Sequence, residues 1–165
     1  MARPLFLLDT NVVLHLVRGN ALGKYLAATF GLLDRVNRPL VSVVTHGELR
    51  LIAARNGWGA DKLKALSHAF DNLVTIDLNH EAVLNAYVAV QQTSREVPGG
   101  SRELKANDAW IVACAKAAEA TLLTTDKDFA HLKAPEWAVR IAIQVLLLPQ
   151  ADLRAIPGSK RAFET

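Results

Sequence analysis

The chain has 165 residues, of which 51% are hydrophobic, and these figures fit one folded domain with a substantial core rather than a disordered protein. A formal net charge of +3 and a pI near 9.2 permit an anionic partner such as nucleic acid but do not identify one. The single cysteine excludes a disulfide framework and a cysteine-rich zinc site, and no membrane span or complete signal peptide is found, so we expect a cytoplasmic protein.

The first predicted strand ends in a carboxylate. Residues 5–8 form an uninterrupted apolar run of the length of a strand buried on both faces, and Asp9 follows directly. An acid in that position lies at the carboxyl edge of the sheet, where ligands bind in open α/β folds. Asp9, Thr10 and Asn11 are also suitable helix caps, so this segment alone leaves both roles open.

Predicted helices and strands alternate along the rest of the chain. Apolar periodicity predicts helices over residues 12–17, 21–36, 46–55, 60–72, 80–94 and 106–120, a helical turn over residues 127–132, and strands over residues 40–44, 73–77, 121–125 and 139–147. Thr45 and Asn79 are the expected caps of the helices that follow them. Such alternation favours an α/β fold, a three-layer α/β/α sandwich with a mostly parallel central sheet.

The predicted domain spans residues 1–148. Residues 97–101 crowd turn-forming residues together and predict a loop. Residues 149–165 contain two prolines, a glycine and scattered charges, which predict a loosely held C-terminal tail. No internal repeat or linker divides the chain into further domains.

Three further acids lie near the starts of predicted elements. Asp126 follows the strand at 121–125 just as Asp9 follows the first strand. Asp108 lies in the first turn of its helix, where the helix dipole favours an anion and capping is the ordinary explanation. Glu48 lies one turn inside its helix, a position where most glutamates are solvated. Each acid has an ordinary structural role, but all four positions also fit one edge of a parallel sheet.

Four carboxylates at one edge would predict a particular chemistry. Clustered carboxylates repel one another and hold their protons to higher pH unless a cation lies among them. Oxygen donors without thiols or a histidine cluster suit Mg²⁺ or Mn²⁺ rather than Zn²⁺. Such a site can activate a water and stabilise the charge of a phosphodiester during in-line attack.

Four segments follow one another along the chain: residues 7–11 (Leu-Leu-Asp-Thr-Asn), 42–49 (Ser-Val-Val-Thr-His-Gly-Glu-Leu), 107–113 (Asn-Asp-Ala-Trp-Ile-Val-Ala) and 123–129 (Leu-Thr-Thr-Asp-Lys-Asp-Phe). In this order they resemble the PIN-domain ribonucleases, and most closely the VapC toxins of toxin–antitoxin pairs. Any one segment is a weak signal, but the four in sequence extend the resemblance from residue 5 to about residue 147.

The resemblance implies a Mg²⁺- or Mn²⁺-dependent endoribonuclease whose RNA substrate is a tRNA or a ribosomal RNA. The implied catalytic and metal-binding residues are Asp9, Glu48, Asp108 and Asp126. Asp9 and Asp108 correspond to the firmest ligands, while the other two complete the shell directly or through water. Thr10 and Asn11 resemble the family's supporting polar pair, and Thr125 is placed to hydrogen-bond within the site.

The resemblance also implies two protein partners, a second copy of the chain and a small antitoxin that covers the active site. An apolar helical stripe could belong to the homodimer interface, although an ordinary core stripe is the simpler interpretation. The residues of this stripe are Leu22, Leu26, Phe30 and Leu33.

The remaining polar and aromatic residues divide into substrate-binding and structural candidates. Arg102 and Lys105 precede Asp108, and we hypothesise that they contact RNA phosphates; a solvated loop is the alternative. Asp128 is interpreted as a cap of its turn rather than a ligand. Trp110 is interpreted as a core residue and the five histidines as structural or surface residues.

Two other functions compete with the nuclease. A catalytically inactive PIN-like module would bind RNA or a protein without cutting, but such a module has no need of four clustered acids. A phosphatase of another α/β family ranks last. The Asp-x-Asp phosphotransferases carry a second carboxylate two residues after the first, and here that position is Asn11.

Overall fold

The computed structural model describes residues 4–96, 104–133 and 142–148. Its centre is a five-stranded sheet in which every pair of neighbouring strands is parallel, in the order β3-β2-β1-β4-β5. The strands are β1 (Phe6–Leu8), β2 (Leu40–Ser42), β3 (Val74–Ile76), β4 (Thr121–Thr124) and β5 (Gln144–Leu147).

Helices connect these strands. They are α1 (Thr10–Arg18), α2 (Ala21–Phe30), α3 (Val43–Arg55), α4 (Ala60–Asp71), α5 (Glu81–Glu96) and α6 (Ala106–Ala117), and a 3₁₀ helix covers Lys127–Lys133. None of the helices in the described part of the chain has the length and apolar character needed to span a bilayer. The alternation of strand and helix explains the parallel pairing, because a parallel neighbour requires a crossover.

Two apolar cores, one on each face of the sheet, establish the three layers. Alternate residues of a strand point to opposite faces. Leu7 and its register neighbour Leu122 pack in one core with buried side chains of α5 and α6. Leu8 and its neighbour Leu123 pack in the other core with side chains of α1 to α4. The predicted α/β/α sandwich with a parallel sheet is therefore confirmed.

The second predicted helix ends earlier than residue 36. Gly31 follows Phe30 with φ of 63°, the left-handed conformation that favours glycine, and its N–H donates to the carbonyl of Ala27. Leu22 and Leu26 are fully buried, as a core stripe predicts, whereas Leu33 lies beyond the helix and is 65% exposed. The four apolar residues therefore do not form one continuous face.

The predicted cap of the third helix was also wrong. Strand β2 ends at Ser42, whose hydroxyl accepts a hydrogen bond from the N–H of Val44, so Ser42 rather than Thr45 caps α3. Thr45 is the third residue of α3 and is buried. The loop predicted at 97–101, the first residues of the strand predicted at 139–147 and the tail at 149–165 lie outside the described residues.

The close approach of α2 to α1 generates a stability prediction. A Cβ added at Gly23 would lie 2.1 Å from the backbone oxygen of His15, and backbone cannot move away cheaply. We expect Gly23→Ala to lower the free energy of unfolding by about 1–3 kcal/mol. Gly47→Ala is the matched control, because nothing lies within 4 Å of its added Cβ, and alanine should stabilise α3 by about 0.5–1 kcal/mol. Urea denaturation measures the free energy of unfolding of both variants. Changes of the same sign in the two variants would contradict the close approach of α2 to α1.

Candidate active site at the carboxyl edge of the sheet

Asp9 lies where β1, β4 and α1 meet. Its backbone N–H donates to the carbonyl of Leu123 at 3.0 Å, which extends the pairing of β1 with β4. Its side chain is 4% exposed and makes two hydrogen bonds: Oδ1 accepts from the N–H of Thr10 at 2.7 Å, and Oδ2 accepts from the hydroxyl of Thr124 at 2.8 Å. Asp9 therefore caps α1 and also belongs to the sheet edge, so the two roles left open by the sequence coexist.

Glu48 is a half-buried residue held by two donors, not a solvated surface residue. The hydroxyl of Thr10 donates to its Oε2, and the amide of Asn107 donates to its Oε1 at 2.9 Å. Because the Thr10 proton is used in this way, the hydroxyl of Thr45, 3.2 Å away, donates to Thr10. Glu48 thus ties the start of α1 to the start of α6.

Asp126 is joined to Asp9 through one hydroxyl. Thr124 donates to Asp9 and accepts from the N–H of Asp126 at 3.0 Å. Oδ1 of Asp126 accepts from the N–H of Asp128 at 2.9 Å, so Asp126 caps the 3₁₀ turn, the role that the sequence favoured for Asp128. Asp128 instead lies 3.7 Å from the ammonium of Lys105.

Asp108 and Asp9 hold their protons to unusually high pH. The pKa of Asp9 is raised from 3.8 to about 7, first by burial and then by the charges of Asp108 and Asp126, against the hydrogen bonds from Thr124 and Thr10. The pKa of Asp108 is raised to about 6 by burial and by the charges of Asp126 and Glu48. The structure therefore brings the four acids close enough to repel one another.

The donor set suits a hard cation, but the side chains are not arranged around one. Within the described ranges, no group of three or more histidine, cysteine, aspartate or glutamate side chains has the arrangement of a metal site. Both oxygens of Asp9 and of Glu48 accept hydrogen bonds from protein donors. Direct coordination by these two acids thus needs their remaining lone pairs or a turn of the side chain.

The other predicted contact residues have different outcomes. Asn11 is half-buried in the first turn of α1 and forms no side-chain hydrogen bond to a described residue. Lys105 is exposed at the start of α6 and lowers the pKa of Asp108. Arg102 lies outside the described residues. Thr125 is buried, but Thr124 makes the contact with Asp9.

The aromatic and histidine residues near the site have structural contacts. Trp110 is half-buried against the core and stacks on Tyr87, with ring centroids 3.8 Å apart and an interplanar angle of 18°. His46 stacks on Phe70 at 3.6 Å, and its Nε2 lies 2.8 Å from the hydroxyl of Thr75. These contacts agree with the structural roles predicted for Trp110 and His46.

Sequence reasoning missed three supporting residues, Thr124, Asn107 and Thr45. The signal for Asn107 was its position directly before Asp108 at a helix start, next to a face that Glu48 also reaches. The signal for Thr124 was available only with the strand register: because Leu8 pairs with Leu123, the next residues along, Asp9 and Thr124, adjoin.

Comparisons with known proteins place this arrangement in context. The sequence model of the PIN domain family matches residues 6–135. Comparison with curated proteins gives no significant match.

Among solved structures, VapBC2 from Rickettsia felis, bound to a DNA fragment from its promoter, superposes with a TM-score of 0.67, at 17% identity over 87% of this chain and 98% of that chain. VapBC-1 from nontypeable Haemophilus influenzae superposes with a TM-score of 0.63 and 21% identity, and the match covers 87% of this chain and 97% of that chain. A toxin–antitoxin complex from Klebsiella pneumoniae superposes with a TM-score of 0.59 and 22% identity, and the match covers 85% of this chain and 94% of that chain. Likenesses at these identities show a shared fold.

The raised pKa of Asp9 predicts how stability depends on pH. Between pH 3.8, its ordinary pKa, and about 7, its pKa in the folded chain, the folded chain holds a proton that the unfolded chain releases. The free energy of unfolding should therefore fall as pH rises through this window. Asp9→Asn has no charge to lose and keeps the acceptor for the Thr10 N–H, while its amide nitrogen donates to the Thr124 hydroxyl, so the direction of that bond reverses. The variant should show a weaker pH dependence and exceed the parent at pH 8 by about 2–4 kcal/mol.

Urea denaturation in the presence of EDTA measures this difference. Asp61→Asn, which changes an exposed acid in the first turn of α4, is the control and should keep the slope of the parent. Equal slopes for Asp9→Asn and the parent would show that Asp9 titrates normally in the folded chain.

Proposed function

This chain belongs to the PIN-domain family, and from that premise we propose that it is a metal-dependent endoribonuclease that acts as the toxin of a toxin–antitoxin pair. The observation that carries the proposal is the meeting of four acids from distant parts of the chain at the carboxyl edge of the sheet. Thr10 bridges Asp9 and Glu48 with its backbone N–H and its hydroxyl, and the Thr124 hydroxyl bridges Asp9 and the backbone N–H of Asp126. Asp108 lies close enough for the charges of Asp126 and Glu48 to raise its pKa.

Mg²⁺ or Mn²⁺ is the proposed cofactor. Asp9 and Asp108 are the proposed ligands, and Glu48 and Asp126 complete the shell directly or through water. The donors are all carboxylate oxygens, which these hard cations prefer. Two of the acids hold protons near neutral pH without a cation, so a bound cation would displace protons and remove their mutual repulsion. When bound, such an ion would activate a water and neutralise phosphodiester charge.

The protein itself supplies orientation and proton acceptance. Thr10 and Asn107 fix the carboxylate of Glu48 from two directions, because both donate to it. A carboxylate with lone pairs to spare can hold an attacking water and accept its proton. Thr124 binds both the carboxylate of Asp9 and the backbone N–H of Asp126, so Asp9 is tied to the start of the turn that carries Asp126.

RNA is the proposed substrate, with a tRNA or a ribosomal RNA as the expected target. An acidic site repels a polyanion, so cations at its rim are needed to bring the phosphates in. Lys105 is suited to this role, since its side chain is 79% exposed and lies beside Asp128 at the edge of the site. Arg102 is proposed to act with Lys105.

An antitoxin protein and a second copy of the chain are the proposed partners, in the cytoplasm. Support for the antitoxin comes from the structural match to the toxin–antitoxin complex from Klebsiella pneumoniae. The surface of α3 and α4 offers apolar contact area in Leu51 and Leu63, which are 49% and 47% exposed.

A catalytically inactive module that binds RNA or protein is the second candidate. It is favoured by two observations: Asp9 and Glu48 already accept hydrogen bonds from protein donors, and the described acids are not arranged around an ion. The same carboxylates would be costly to keep in a module that does no chemistry, since burial and mutual repulsion oppose their ionisation.

Cleavage of RNA separates these candidates. We expect the purified chain to cut structured RNAs in Mg²⁺ or Mn²⁺ and not in EDTA. Asp9→Asn and Asp108→Asn should each lower the rate by on the order of 100-fold or more, because each removes a charge from the reacting centre. Asp61→Asn, an exposed acid of α4, should cut like the parent. Cleavage that is equal in all four proteins would come from a contaminant, and RNA binding without cleavage would favour the inactive module.

A further inference from the structure

An open groove of about 700 Å³ runs between the C-terminal half of α5 and the start of α6, beside the acidic site. Its lining includes Tyr87, Gln91, Arg95, Leu104 and Lys105. We propose that this groove binds a nucleobase of single-stranded RNA next to the phosphate that is cut. The assignment rests on the proposed function and adds to it the part of the chain that holds the substrate.

Tyr87 provides a supported aromatic surface in the groove. Its ring stacks on Trp110 at 3.8 Å, and Tyr87 lines the groove whereas Trp110 does not, so Trp110 backs it from the core side. A ring fixed in this way loses little conformational entropy when a base stacks on it. Stacking of this kind tolerates any base, because every base has a π face.

Gln91 lines the groove beside Tyr87. Its amide nitrogen donates to the hydroxyl oxygen of Tyr87 at 3.3 Å. Its carbonyl oxygen is buried and has no hydrogen-bond partner among the residues that the structure describes. Because this oxygen is shielded from the groove, Gln91 contributes through its contact with Tyr87, which helps to hold the ring in place.

The charge of the groove favours a polyanion over a protein surface. The lining residues within the described ranges include no acid, and Lys105 places an ammonium at one end of the groove. The ion pair of Lys105 with Asp128 is solvent-exposed and therefore weak, so a phosphate can replace it.

The position of the groove suits a base beside the cleaved bond. One end of the groove adjoins the site, because Lys105 lines the groove and its ammonium lies 3.7 Å from Asp128, two residues after Asp126. A nucleotide whose base lies on Tyr87 would thus place its phosphate near the four acids. The groove would thus hold the RNA strand that the acidic site cuts, and the stacked pair of Tyr87 and Trp110 would have a role in binding as well as in packing.

Binding of short single-stranded oligoribonucleotides of mixed sequence, carrying a fluorescent label and measured by anisotropy in EDTA, tests the assignment. Tyr87→Leu should weaken binding by about 10-fold or more, because it removes the stacking surface but keeps an apolar side chain. Tyr87→Phe keeps the ring and should bind like the parent. Trp58→Leu is the matched control and should bind like the parent. Trp58 is also a half-buried aromatic with a lysine, Lys62, over its ring, but it does not line the groove.

Cleavage kinetics give a second readout. With Mg²⁺ present, Tyr87→Leu should raise KM with little change in kcat, because the base contact is the same in the ground and transition states. A parent that cuts RNA together with a Tyr87→Leu variant of unchanged affinity and KM would overturn the groove and leave the nuclease intact. A parent that neither binds nor cuts RNA would overturn both.

Two further measurements keep the test decisive. If Tyr87→Leu melts at a much lower temperature than the parent, photocrosslinking of 4-thiouridine RNA to the parent replaces the variant as the test. Crosslinks within residues 84–95 would support binding in the groove. Crosslinks found only elsewhere would overturn the proposal. Light scattering reports the oligomeric state. Conversion of a dimer to a monomer by Tyr87→Leu, with RNA affinity unchanged, would show that a second copy occupies the groove and would overturn the assignment.

Discussion

The burial of Asp9 is the constraint on which the candidate site depends. Its backbone continues the pairing of β1 with β4, and its side chain begins α1, so the carboxylate cannot leave the sheet edge without loosening three elements. Burying this charge near other acids opposes its ionisation, as its raised pKa records. The fold therefore holds an arrangement that is unfavourable by itself and that a cation would relieve.

The parallel sheet gathers the remaining acids around this point. Strand order places β2 and β4 on either side of β1, so the helix after β2 and the turn after β4 both start beside Asp9. Glu48 comes from that helix and Asp126 from that turn, while Asp108 arrives on α6, which packs over the same strands. Packing of the helices and strands brings these segments together. Hydroxyl and amide side chains then hold the carboxylates in place through hydrogen bonds.

Sequence patterns predicted the layers and the acids but not the contacts between them. Apolar periodicity is a local property, so the alternation of strands and helices was readable along the chain. The predictions were wrong where a single residue sets the end of a helix. Gly31 ends α2 before residue 36, and Ser42 caps α3 in place of Thr45. The bond from Thr124 to Asp9 joins residues 115 positions apart and depends on register, which no local pattern contains.

The most direct test of the central claim is titration calorimetry of Mn²⁺ into the metal-free chain, in two buffers of different ionisation enthalpy. If the acids hold the ion, binding must expel the protons that Asp9 and Asp108 carry, so about one proton should be released at pH 6.5 and fewer as pH rises to 8.5. Asp9→Asn should weaken binding and release fewer protons. Absence of binding, or binding without proton release and unchanged in Asp9→Asn, would contradict a metal site built on these carboxylates.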